Sequence, residues 1–164
     1  MASANAVNIT DGLDGLSAGL TVIAFAAFGA IAYAKGLFIL SALCAVIIGG
    51  TLAFLWFNIP PAKFYMGDTG SLSLGATLGV IAMLTNSVVI LPIVGIIFVI
   101  ETLSVIIQIA SKKFLKRKIF HIAPLHHHFE YLGFNETTIT MRFWFIGGIF
   151  GALGLIIGLV ISGV

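Results

Sequence analysis

Charge is scarce in this chain. Asp, Glu, Lys and Arg make 9 % of its 164 residues and hydrophobic types 60 %, whereas an average soluble domain carries roughly 25 % charge. That excludes a globule with a solvated surface, and a mean hydropathy of +1.17 places the chain in a membrane. Cysteine is nearly absent as well. The lone Cys44 has no partner, so an intrachain disulfide is excluded, and its position inside an apolar run makes it core filling. A net charge of +2 is too small to point to a nucleic-acid partner. Apolar stretches recur as far as Val164 rather than only behind a basic N-terminus, which is not the pattern of a cleavable signal. Internal repeats are lacking, and the one biased tract is the basic run 112–118.

What the chain has is apolar length. A bilayer core of about 30 Å takes roughly 20 helical residues, and five stretches approach that length, at 16–34, 38–57, 72–86, 88–110 and 143–161. Each must be helical, because a lone strand in lipid would leave its backbone groups unpaired. The expected fold is therefore all-α, a polytopic transmembrane helix bundle of about five spans. With that number, every basic residue except Lys35 falls on one side, which the charge bias makes cytoplasmic. The N-terminus, the loop around Asp68 and the segment 111–142 then share the cytoplasmic face, and the C-terminus lies outside. Ser71, Gly75 and Gly79 recur every four residues, and Gly147, Gly151, Gly154 and Gly158 form a second stripe. Small residues in this register let helix backbones approach. Glu101, Ser104, Gln108 and Ser111 share one face of the fourth span, so that face should look into the bundle or a wet cleft. For Glu101 an interhelical hydrogen bond and a functional role both stand open. Gln108, nearer the cytoplasmic end, has the better claim to touch a ligand.

Three constellations carry the polar chemistry. In the first, Asn5, Asn8, Asp11 and Asp14 step three residues at a time through Asn-Ala-Val-Asn-Ile-Thr-Asp-Gly-Leu-Asp-Gly. The spacing aligns them on helical turns, although two Asp-Gly pairs equally permit a solvated loop capping the next helix. The pattern lacks the alternating oxygens and closing glutamate of a calcium loop. In the second, Met66-Gly67-Asp68-Thr69-Gly70-Ser71 feeds a span. Asp68 is either an N-cap or a Mg²⁺ ligand, since Mg²⁺ takes few carboxylates plus waters and substrate phosphates. Upstream, Asn58, Lys63, Phe64 and Tyr65 offer an amide, a cation and stacking faces, with an interfacial aromatic belt as the plainer role for the rings. The third is Pro124-Leu125-His126-His127-His128-Phe129-Glu130. Three adjacent histidines cannot easily converge on one tetrahedral zinc, and phosphate binding suits them better. The basic run upstream is either part of that phosphate site or a topology signal and anionic-lipid contact.

The strings Asn-Ile-Thr-Asp-Gly-Leu-Asp-Gly, Met-Gly-Asp-Thr-Gly-Ser and Pro-Leu-His-His-His-Phe-Glu, in that order between apolar spans, resemble the phospho-N-acetylmuramoyl-pentapeptide-transferase family. This belongs to the polyprenyl-phosphate N-acetylhexosamine-1-phosphate transferase superfamily. The likeness runs essentially from residue 1 to 164, and the histidine block is what resembles the muramoyl-pentapeptide branch. It implies Mg²⁺-dependent transfer of phospho-N-acetylmuramoyl-pentapeptide from its UDP carrier, UDP-MurNAc-pentapeptide, to undecaprenyl phosphate, releasing UMP and forming lipid I for peptidoglycan. The setting it implies is a bacterial inner membrane with the active site facing the cytoplasm.

By the same resemblance Asp68 binds Mg²⁺, and Asn5, Asn8, Asp11 and Asp14 line the nucleotide-sugar cleft. Asn58 and Gln108 hold the uridine, and Tyr65 stands where the family usually stacks a phenylalanine on uracil. His126, His127 and His128 surround the phosphates, with His127 first in line for direct contact and, with Asp68, for a catalytic part. The family's N-terminal half, which brings further spans, an aspartate pair and an active-site lysine, has no counterpart in this sequence. A truncated frame or fragment is therefore expected, inactive alone, with that half as a missing partner and a homodimer among the assemblies open to it. The nearest rival is a UDP-N-acetylglucosamine polyprenyl-phosphate transferase of the same superfamily. More distant rivals are a non-catalytic membrane fragment and a membrane protein binding metal through His126–His128.

Overall fold

A computed structural model describes residues 1–162 of the chain, which are all-helical in their regular structure. The helices are α1 (Ala2–Thr10), α2 (Leu16–Ala34), α3 (Phe38–Asn58), α4 (Gly67–Leu84), α5 (Leu91–Val94), α6 (Ile96–Ala110), α7 (Leu125–Tyr131) and α8 (Glu136–Ser162). A 3-10 turn at Val88–Ile90 precedes α5, and a π-helical turn at Ser111–Leu115 extends α6. Three helices, α2, α3 and α8, are long and apolar enough to cross a membrane, and a fourth span arises if the bent pair Val88–Val94 and Ile96–Leu115 is one crossing. The remaining expected span, at 72–86, falls on α4, which begins earlier, at Gly67, opens with Gly-Asp-Thr-Gly-Ser and is not among the helices long and apolar enough to cross, so the described residues hold three or four candidate spans rather than five.

The expected span at 88–110 is not one straight helix. It bends by 81° between Pro92, which has no N–H to give the preceding turn, and Gly95, where a Cβ would stand 3.1 Å from the Leu91 carbonyl. The segment 111–142, read from the sequence as one long connection, holds the π-turn, α7 and the first turns of α8.

Both glycine stripes do what their spacing foretold. Gly75 and Gly79 press against Ser3 of α1, while Gly147 meets Leu20, Gly151 meets Ile23, Gly154 meets Val94 and Gly158 meets Ile31. Cys44 is buried against Gly29. One core gathers Phe25, Phe28, Ile31, Leu78 and Ile81, and a second gathers Val7, Leu16, Leu20, Phe98 and Phe143. α3 leaves Ile39, Val46 and Trp56 exposed, as a lipid-facing helix does.

The bundle has two distinct polar ends. At one, α2 closes with Gly36 at φ +73° and the bond Leu37 N–H to Ala32 O, and α4 closes the same way with Asn86 at φ +51° and Ser87 N–H to Ala82 O. Lys35 joins these turns by donating to Thr85 O at 2.7 Å and Ser87 Oγ at 3.1 Å, a cation on the carbonyl end of a helix. The other end collects the beginnings or ends of α1, α2, α3, α4, α7 and α8, and all three sequence motifs.

Candidate active site

The loop between α1 and α2 is the hub of that end. Gly15, at φ +74°, turns the chain into α2 in a conformation other residues rarely adopt. Its N–H donates to Asn58 Oδ1 at 3.1 Å, and Asn58 Nδ2 donates to Phe64 O at 3.0 Å, so one buried amide ties the loop to the end of α3 and the segment beyond it. Asp14 is held on both sides. Its N–H donates to Glu136 Oε1 at 2.7 Å, and its Oδ2 accepts from Ala62 N–H at 2.8 Å. Trp144 of α8 reaches across to donate to Gly15 O at 3.2 Å, filling the space beside Gly19.

Asn8 makes the join to the second motif. Its amide donates one hydrogen to Asp68 Oδ1 at 2.8 Å and the other to Ser71 Oγ at 2.9 Å. Asn8, Asp11, Asp14, Asn58, Tyr65 and Asp68 line one cleft of about 260 Å³. Asn5, one turn earlier on α1, is exposed and lies outside that lining. Burial, and next the charge of Asp68, push the Asp11 carboxyl up to about 6. Tyr65 is exposed at the cleft, whereas Phe64 packs on Phe54 and Phe57.

The histidine block is divided in its duties. His126 is fully buried, with its Nδ1 3.0 Å from Glu101 Oε2. The same carboxylate accepts from Leu125 N–H at 2.9 Å and His126 N–H at 3.1 Å, so Glu101 holds the first turn of α7. His126 Nε2 abuts Gly12, where a Cβ would stand only 2.3 Å away. The block thus backs directly onto the acidic loop. His127 is partly exposed and pairs with Glu130, and His128 stacks on His121 with centroids 5.5 Å apart. The inward face expected on the fourth span is real, since Glu101, Ser104, Gln108 and Ser111 are all buried. Gln108 spends both ends of its amide on the chain, donating to Phe120 O at 2.7 Å and accepting from the N–H groups of Ile119 and Phe120. Glu136 and Trp144 escaped the sequence reading, and Gly12 entered it only as half of an Asp-Gly pair, with no hint that a histidine would pack on it.

Chemically the cleft offers hard oxygen donors. Asp68 Oδ1 is taken by Asn8, and Asp11 is near enough to feel the charge of Asp68. Among the described residues no group of three or more His, Cys, Asp or Glu converges as a metal cage. Two carboxylates in an open cleft fit Mg²⁺, which takes one or two carboxylates and completes its shell with water and phosphate, and they do not fit a closed zinc site.

Comparison with known proteins places the chain in a family. Residues 1–86 match the family described as glycosyl transferase family 4. Among curated proteins, the chain is 50 % identical over 153 residues to a phospho-N-acetylmuramoyl-pentapeptide-transferase of Geobacillus kaustophilus, covering 93 % of this chain and 47 % of that protein. Transferases of the same name from Phenylobacterium zucineum and Staphylococcus saprophyticus are each 48 % identical, over 93 % and 94 % of this chain and 46 % and 48 % of theirs. The chain spans about half the length of the curated relatives it matches.

Proposed function

Because the chain belongs to glycosyl transferase family 4, we propose that its acidic cleft is the nucleotide-sugar site of a phospho-N-acetylmuramoyl-pentapeptide transfer from UDP to undecaprenyl phosphate. The products are lipid I and UMP, and the site faces the cytoplasm from a bacterial inner membrane. The observation that carries the reading is the bond from Asn8 to Asp68, which draws two motifs sixty residues apart into one cleft that Asp11 also lines. The reaction is that of the complete protein, whose remaining half, and a second copy where it dimerises, are partners of this chain.

Asp68, with Asp11 beside it, would hold Mg²⁺, which supplies charge neutralisation on the pyrophosphate when bound. Asn8 keeps Asp68 in place, so one carboxylate oxygen stays directed while the other is left for the ion. Tyr65 offers its exposed ring to the uracil and Asn58 braces the wall behind it. His127, whose side chain is partly exposed, donates toward the phosphates, with Glu130 orienting its Nδ1. In the transfer an oxygen of the lipid phosphate bonds to the sugar-bearing phosphorus as its bond to the bridging oxygen breaks, and that electron pair leaves with UMP. Positioning and electrostatics do the work, and no protein nucleophile is required. In a complete enzyme, Asp68→Asn should abolish turnover while expression and membrane insertion stay intact. A near-wild-type rate removes the assignment of Asp68. Assays with UDP-N-acetylglucosamine in parallel separate the muramoyl reading from its nearest rival.

A further inference from the structure

The basic run is folded into a shape that the proposed reaction does not use. After the π-turn, Lys116 adopts φ +52° and reverses the chain. The reversal is pinned by Ser111 Oγ donating to Arg117 O at 2.7 Å and by the Gln108 amide on residues 119 and 120. Lys112 and Lys118, six residues apart, are thereby brought to one cavity of about 320 Å³, with His121 at its side and Val105, Ile109 and Ile122 as apolar walls. Nothing neutralises these cations from within. The sequence has no Asp or Glu between Glu101 and Glu130. Those two carboxylates are committed to His126 and His127, and among the described residues none of the five Lys and Arg of the run is in an ion pair.

We propose that this cavity binds the phosphate of an anionic phospholipid. Charge complementarity calls for an anion, and two converging lysines without a carboxylate repel each other until one arrives. The apolar surround decides which anion. Ile109 and Ile122 of its lining are exposed, as are Phe114, Leu115 and Ile119 of the chain between Lys112 and His121, a surface that acyl chains cover and that a water-borne phosphate leaves bare. The cavity shares no lining residue with the acidic cleft, so this is a second anion site. Lipid held here would lie against the loop that Gln108 and Ser111 secure.

The test is native mass spectrometry of the detergent-purified chain, incubated with equal amounts of phosphatidylglycerol and phosphatidylcholine. Wild type should retain phosphatidylglycerol preferentially, and Lys112→Gln with Lys118→Gln should cut that preference by roughly thirtyfold, at about 1 kcal/mol per surface cation. Lys113→Gln with Lys116→Gln removes the same charge outside the cavity, Lys113 lying over Phe114, and should leave most of the preference. Equal losses from both pairs, or no preference in wild type, would overturn the site. Inorganic phosphate or UMP displacing the lipid at matched concentration would overturn the choice of ligand.

Discussion

The carboxyl of Asp11 has two reasons to keep its proton, and their order can be tested. Burial is the larger and the charge of Asp68 the smaller, together raising it from 3.8 to about 6. Since the folded state holds this proton more tightly than the unfolded chain, the stability tied to it is full below pH 3.8 and is lost as pH rises through about 6. Without metal, carbon NMR of aspartate-labelled protein should show one carboxyl titrating near 6. Asp68→Asn should lower that midpoint only part of the way, because desolvation remains; a full return to the ordinary range would reverse the ranking. Glu101 makes a second residue-scale case. Removing its carboxylate strands two backbone N–H groups and the His126 ring in a dry site, so Glu101→Ala should cost about 3–5 kcal/mol in detergent unfolding, with Glu101→Gln, which keeps an acceptor, costing much less. Equal losses would deny the carboxylate its anchoring role. The sequence placed Glu101 on the right face yet left its role open, because its partners lie two dozen residues downstream on another helix. Gln108 sits on the same face, and its bonds to the backbone of residues 119 and 120 likewise lie beyond what helix periodicity shows.

At the scale of elements, helix register was the most legible feature, because small residues at every fourth position have few uses other than close packing. Gly75 is the sharpest instance: a Cβ there would stand 2.6 Å from the Ser3 carbonyl and 2.7 Å from the Ala4 Cα, both backbone atoms that cannot swing aside. Gly75→Leu should therefore push α1 off α4 and break the Asn8 to Asp68 bond, lowering thermal stability and widening the cleft, whereas Gly148→Leu on α8, with open space around it, should do neither. Thermal unfolding of the two side by side checks this. Gly12 transmits strain between the loop and α7. His126 is pinned by Glu101 and cannot retreat, so Gly12→Ala should displace α7 and alter the reactivity of His127 toward diethyl pyrocarbonate; an unchanged modification rate would show the contact to be slack. The 81° bend before α6 and the start of α8 at Glu136 were harder to read, because hydropathy measures how apolar a segment is and says nothing of its direction. Pro92 and Gly95 were visible, but either residue is tolerated in a straight membrane helix when neighbours satisfy the freed groups.

For the whole molecule, the decisive property is that polar groups sort to opposite ends of an apolar bundle. At one end Lys35 latches onto Thr85 and Ser87, while the other holds Asn8, Asp11, Asp14, Asp68 and the histidine block. The expectation of this sorting lay in the basic residues, since five spans would put all but Lys35 on one side and a charged side chain is costly in mid-membrane. The arrangement makes a labelling experiment possible in which each end reports separately. With the buried Cys44 replaced by alanine, Tyr65→Cys and His127→Cys should react with an impermeant maleimide from one side of sealed vesicles, and Leu37→Cys from the other. Tyr65 and Leu37 are exposed and the His127 side chain is partly so, which makes access a question of sidedness rather than burial. In intact cells the first two should react only after permeabilisation, which is what a cytoplasmic site requires. If Tyr65 and His127 answered from opposite compartments, the cleft and the histidines would lack a common surface, and phosphate chemistry shared between them would be impossible.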